Sequence, residues 1–394
     1  MYNKKTVFWA ACCGMLLFGI GLITLGSMAP DLREKFQLDN LSVGTIFSIL
    51  PFGILAGSLV FGPICDRYGY KLILLLSILG MFAGFEGIAF LSSLTWLKVC
   101  IFIFAVSAGI INGATNAVVS DISQGSGARL SLLGVFFGLG ALGMPFILGL
   151  LKNTFSSFQI VAAIGWLTLA VAIFYMFVKF PASKKALGFT TTTKTNLFKE
   201  SFLYFLAFFL FFQGSIEAIV NNWTTTYLIQ YLSIAEAQAL FALSLYVLGL
   251  TVMRLLIGSV FRSMALPLLM TISLTAIGIG ALLVYFAKSY AVVVPGLIVM
   301  GIGMAAGFPI TMGLAGNRYP SKSGTAFSFI LTISLVGNML VNYLMGVISN
   351  QFGMKHYTTM IFAELCFMII FCILIFRSQK KTSVTTDDVM TTSL

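Results

Sequence analysis

Three stripes of polar side chains interrupt long apolar stretches of this sequence. Gln213, Glu217 and Asn221 fall at i, i+4 and i+8, as do Asn112, Asn116 and Ser120, and again Ser334, Asn338 and Asn342. That spacing sets each trio on one face of a helix. Amides offer a donor and an acceptor each, suited to the hydroxyls of a small solute, and Trp223 and Tyr227 offer flat faces for stacking on a ring. Glu217 is the candidate to bind substrate or to carry a coupling ion. The same amides can also serve only to bond one helix to the next. The choice depends on where the helices sit.

They sit in lipid. Of 394 residues, 59% are hydrophobic and 9% charged, against about 45–50% and about 25% in a soluble domain. Apolar runs near the ~20 residues that a spanning helix needs recur at about 7–29, 42–64, 72–92, 97–120, 130–151, 158–179, 200–228, 236–258, 266–287, 291–315, 325–349 and 357–376. The expected fold is an all-α membrane protein of twelve spans, because lipid leaves exposed backbone groups unsatisfied. A carboxylate at mid-membrane costs about 2.5–3.5 kcal/mol, so Glu217 is expected to face the bundle interior.

The net charge of +11 follows topology. Sixteen of the 23 Lys and Arg residues fall in alternate loops and the two tails, six in the opposite loops, and Arg254 lies within a span. This positive-inside bias places both termini in the cytoplasm and argues against a nucleic-acid partner. The polar segment 180–199, with Lys184, Lys185 and a run of four threonines, divides an N-terminal bundle, 1–179, from a C-terminal bundle, 200–377, with a tail at 378–394 expected to be disordered. The halves repeat at an offset of about half the chain. Ser126 and Gly127 recur as Ser323 and Gly324, Gly140 and Gly149 as Gly337 and Gly346, and Gly62 as Gly258. A parallel repeat with a site between its halves is the plan of an alternating-access carrier.

Gly62, Asp66, Arg67, Gly69 and Lys71 lie in the loop after the second span, with Tyr70 between the last two. This loop resembles the G-x-x-x-D-[RK]-x-G-[RK]-[RK] signature of the major facilitator superfamily and departs from it at Tyr70, where a base is usual. The resemblance implies a conformational latch at the cytoplasmic ends of two bundles. Asn112 to Asn116, Phe136 to Ala141, the pattern from Glu217 through Trp223 to Leu228, and Gly307 to Pro309 are similar to the fucose and glucose symporter branch. That branch places a carboxylate in its first span for proton coupling. Here the first span offers only Thr24 and Ser27, so the coupling role does not carry over to that span, and Glu217 stands as the candidate to carry a proton, to help hold sodium or to bind substrate.

Other ionisable residues read as structural. Glu86 and Glu364 fall on spans that the family plan puts at the periphery, Asp121 reads as a latch partner, and Arg254 as an anchor or an ion-pair member near the inner end. The six cysteines show no disulfide or zinc spacing, and nothing resembles a catalytic triad, a metal cluster or a phosphate loop. The expected protein is therefore no enzyme. It is a secondary transporter of the cell's plasma membrane, a bacterial inner membrane, acting as a monomer without cofactor and moving a small polar solute, a sugar, with a proton or sodium ion. Proton-coupled export of a drug or metabolite is the alternative.

Overall fold

The computed structural model describes residues 2–123, 127–181, 200–261, 263–319 and 323–391. The α-helices among them are α1 (Lys4–Ser27), α2 (Ala29–Phe36), α3 (Asn40–Tyr68), α4 (Tyr70–Phe90), α5 (Leu94–Ser123), α6 (Gly127–Leu151), α7 (Ser157–Phe177), α8 (Ser201–Gln230), α9 (Glu236–Ser259), α10 (Leu266–Phe286), α11 (Tyr290–Met304), α12 (Gly307–Arg318), α13 (Ser323–Phe352) and α14 (Tyr357–Thr391). Twelve spans are long and apolar enough to cross a membrane, with α11 and α12 forming one. Local chemistry sets their ends. Asp39 caps α3 by accepting from the Ser42 amide, and Ser156 and Gln159 form a reciprocal capping box on α7. Between α3 and α4 the chain turns at Gly69 with φ 82°, a conformation that favours glycine.

Helices α1 and α3 to α7 pack as one bundle and α8 to α14 as another. The sequence repeat has a physical job here. Gly140 lets α6 press onto the backbone of α1 at Leu16, and Gly337 lets α13 press onto α8 at Phe211 in the same way.

Three features differ from the sequence expectation. The segment after the first span holds a short helix, α2. The tenth span is broken between Met304 and Gly307, and Gln213 Nε2 donates to the Met304 carbonyl that the break frees, at 3.2 Å. Helix α14 continues past Arg377 to Thr391 where disorder was expected, and that stretch has neither Gly nor Pro to stop it. Most of the 180–199 linker lies outside the described residues, as does Ser126.

Candidate functional site

The two bundles meet at the end of the molecule away from the chain termini, here the distal end, along two seams. On the first, Gly44 of α3 lies against Gly346 of α13, Asn40 Nδ2 donates to the Ser349 carbonyl at 3.0 Å, and Ser48 Oγ donates to the Met339 carbonyl at 2.8 Å. On the second, Lys152 at the end of α6 donates to Asp31 of α2 at 2.7 Å and to Glu236 of α9 at 2.6 Å. Burial alone would weaken Lys152 as a base, but the hydrogen bonds and attraction of the two carboxylates outweigh it and raise its pKa. Between the seams, Thr225 Oγ1 donates to the Gly26 carbonyl of α1, and Phe47 of α3 meets the Trp223 ring edge to face. Arg33 of α2 stacks on Trp223 at 5.9 Å, and burial lowers its pKa to about 10 against the pull of Asp39.

Toward the termini the second seam parts. Gly138 of α6 touches Thr251 of α9, yet Gly134, one turn further along the same face, and Gly258 of α9 have open space beside them. The bundles therefore enclose a gap that is shut distally and opens at the terminal end.

Several sequence-picked residues belong to the shut end. Asn342 is fully buried and fully engaged. Its Oδ1 accepts from Asn222 Nδ2 and Trp223 Nε1, and its Nδ2 donates to the backbone and side-chain oxygens of Asn338. Trp223 is wholly buried, so neither face of its ring is free for a solute in this conformation. Asn221 is buried with Oδ1 unpartnered, and its backbone lies against Gly26. Gln213 is also buried, its amine on Met304 and its Oε1 without a partner.

Four others stay at least partly exposed. Glu217 is half-buried at mid-height on the α8 face that leads up to Gly26 of α1. Asn338, half-buried, spends its carbonyl oxygen on Asn342. On α5, Asn116 Nδ2 donates to the backbone and side-chain oxygens of Asn112, at 2.8 and 3.1 Å, and approaches Met15 of α1. Asn112 is half-buried and Asn116 exposed. Amide groups on α5 and α13, with a carboxylate on α8, can grip hydroxyls from both bundles.

In the latch loop, Gly69 makes the turn and Lys71 Nζ donates to the Met176 carbonyl at the end of α7, at 2.7 Å, where a cation suits the helix dipole. Tyr70 donates to Asp121 of α5 at 2.6 Å. These bonds all stay within the first bundle. Gly62 and the side chains of Asp66 and Arg67 lie outside what the structure describes. Glu86 is pressed against Gly165 of α7, between helices of one bundle.

Sequence reading missed the distal gate. Its signal was available as opposite charges, Lys152 and Glu236, at the same-side ends of two spans.

The Major Facilitator Superfamily profile matches residues 11–264 and 203–390. The inner membrane transport protein YdiN of Escherichia coli strain K12 is 24% identical over 375 residues, 91% of this chain and 87% of that protein. The glucose/mannose transporter GlcP of Bacillus subtilis strain 168 is 24% identical over 352 residues, 84% of this chain and 85% of that one. The crystal structure of a D-xylose-proton symporter superposes with a TM-score of 0.79 at 14% identity, covering 94% of this chain and 97% of that one.

Proposed function

The chain belongs to the major facilitator superfamily, and on that premise we propose that it carries a small hydroxylated solute of the sugar class by alternating access, in symport with a proton or sodium ion. It is a multi-pass membrane transporter of small molecules and not an enzyme. The solute class and the coupling are our reading. One observation carries it: within spans of both bundles Glu217 and the amides of Asn112, Asn116 and Asn338 stand half-buried or exposed, and we read them as the head of the gap between the bundles. Intramembrane polar groups in such a place mark a solute path. The glucose/mannose transport named for the Bacillus relative supports the solute class.

The charge bias of the loops supports cytoplasmic termini, and on that reading the distal end is external and the conformation inward-facing. Solute then leaves past Glu217 toward the cytoplasm, while the Lys152 triad and the glycine seam hold the outside shut. Return to the outward form requires both seams to part and the latch loop to engage.

Uptake into proteoliposomes, across a panel of sugars and under imposed proton or sodium gradients, tests this. Glu217→Gln keeps the side-chain shape and removes its charge. The expected outcome is loss of gradient-driven accumulation with exchange of labelled for unlabelled sugar retained. Wild-type accumulation in that variant removes Glu217 from coupling. No gradient effect in the wild type removes symport. Uptake of none of the sugars removes the solute class.

A further inference from the structure

Arg254 lies eighteen residues along α9 from Glu236, five helical turns at about 3.6 residues each, so the two share a face. Leu243, Val247 and Leu250 near that face are buried, whereas Leu248, Val252 and Leu255 on the other side are exposed. Arg254 therefore points into the protein and away from lipid. Along the seam it stands between Thr251, which still touches Gly138 of the other bundle, and Gly258, which faces open space. That is the apex where the bundles part.

Among the described residues no carboxylate lies within ion-pair distance of Arg254. Its Nε is buried without a hydrogen-bond partner. Its neighbours are in the same condition. Thr251 Oγ1, three residues back, is buried and unpartnered, and so is the hydroxyl of Tyr246, which is wholly buried and within electrostatic range of both Glu217 and Arg254. A guanidinium drawn into a span is costly, and each orphaned buried donor adds to that cost. Snorkelling to the terminal end would serve the Nη amines but leaves Nε sealed in protein. A guanidinium with open donors at the head of a solute path is shaped for a two-oxygen anion.

We propose that Arg254, with Thr251 beside it, receives a carboxylate of the transported solute, so that the cargo is a hydroxylated organic acid such as a sugar acid. This rests on the transporter reading above and narrows its solute. Glu217 and the asparagines remain for the hydroxyls. An anion at Arg254 and a negative charge on Glu217 repel, so solute binding favours loading a cation at Glu217, which ties uptake of the acid to the coupling ion.

The test uses the full-length protein purified in detergent, with thermal unfolding followed in D-glucose, D-glucuronate and D-gluconate and with sodium chloride as the ionic control. Glucuronate or gluconate is expected to raise the wild-type midpoint beyond the salt control, and more than glucose does. Arg254→Gln should weaken that acid's apparent affinity at least tenfold, Arg254→Lys less, and Thr251→Val a few-fold, while any glucose response stays unchanged. If the glutamine variant does not fold, the lysine and valine variants carry the same ordering. Equal stabilisation of wild type and Arg254→Gln by the acids overturns the site. So does stabilisation by glucose alone, or a response to the acids no larger than to sodium chloride. Failure of the transporter reading is seen separately, as proteoliposomes that take up neither the sugar nor its acid.

Discussion

The two seams that shut the distal end occupy corresponding places in the repeat, and they are held by different forces. Where α3 meets α13, Gly346 brings the backbones together at Gly44, and the bonds from Asn40 and Ser48 run to neutral carbonyls. Where α6 meets α9, the matching Gly149 makes looser contacts, 3.3–3.4 Å from an added methyl to Ala237, Leu240 and Phe241. There closure falls to Lys152 between two carboxylates whose side chains are 15% and 27% exposed. The neutral seam acts by short-range fit and responds to size. The charged seam acts at longer range and responds to charge and ionic strength. Since the gap opens distally only when both part, each sets a separate component of the same barrier.

The largest effect expected is from Gly346→Leu. A side chain there starts 2.9 Å from the Asn40 carbonyl oxygen and the Gly44 Cα, both backbone atoms that cannot swing aside. Overpacking of this kind costs about 1–3 kcal/mol, so initial uptake should fall up to about a hundredfold, and a cysteine at Ser42 should become reactive to impermeant thiol reagents. Gly149→Leu meets side-chain atoms that can move and should cost clearly less. Equal losses would end the distinction between the seams. Next in size is Lys152→Met, which strands Asp31 and Glu236 beside each other without a counter-charge. The closed population should drop about tenfold, some 1.4 kcal/mol, and Lys152→Met with Glu236→Gln should recover most of it. Failure of the double variant to recover would mean that Lys152 acts through packing.

The contrast also marks what the sequence could say. Apolar run lengths gave the twelve spans to within a few residues, because one lipid slab sets one helix length. The paired glycines announced the repeat, because close approach of two backbones admits no larger residue. The functions of the amides were not legible. Asn342 and Asn112 lie on similar stripes, but only the fold reveals that Asn342 has all its hydrogen bonds inside the protein while Asn112 stays half-exposed. Partners 120 residues apart leave no mark in local spacing. The Lys152 triad was hidden for the same reason, whereas the break at Met304 had a local signal in Gly307 and Pro309, since Pro309 has no N–H to continue the helix ladder.

Solution conditions should separate the seams more gently. The pKa of Lys152 is raised in the closed form, so its contribution to closure is whole below the ordinary lysine value and is lost only as pH climbs through the raised one. Between pH 7 and 9 the labelling rate of a cysteine at Ser42, taken relative to a fully exposed control cysteine to remove the rise in thiolate with pH, should therefore stay flat. A steep rise in that interval would mean that Lys152 is not the group holding the seam. Moving from 0.1 M to 1 M salt shortens the screening length from about 10 Å to about 3 Å, which should loosen the charged seam a few-fold and leave a Lys152→Met, Glu236→Gln background unmoved.

The smallest effect expected is from Ser48→Ala on the neutral seam. The hydroxyl's single proton is shared between the carbonyls of Gly44 in its own helix and Met339 across the seam, so the variant removes at most one inter-bundle hydrogen bond. A net bond of this type is worth about 0.5–1.5 kcal/mol. The Met339 carbonyl lies inside α13, where the helix supplies it with another donor, so no buried acceptor is orphaned and the loss should sit at the low end. A shift of about threefold toward the open form, read from the rate of thiol labelling at Ser42, fits a seam held mainly by the fit of Gly44 to Gly346. A shift as large as that of Lys152→Met would place the strength of the neutral seam in its hydrogen bonds, and the two seams would then differ in charge alone.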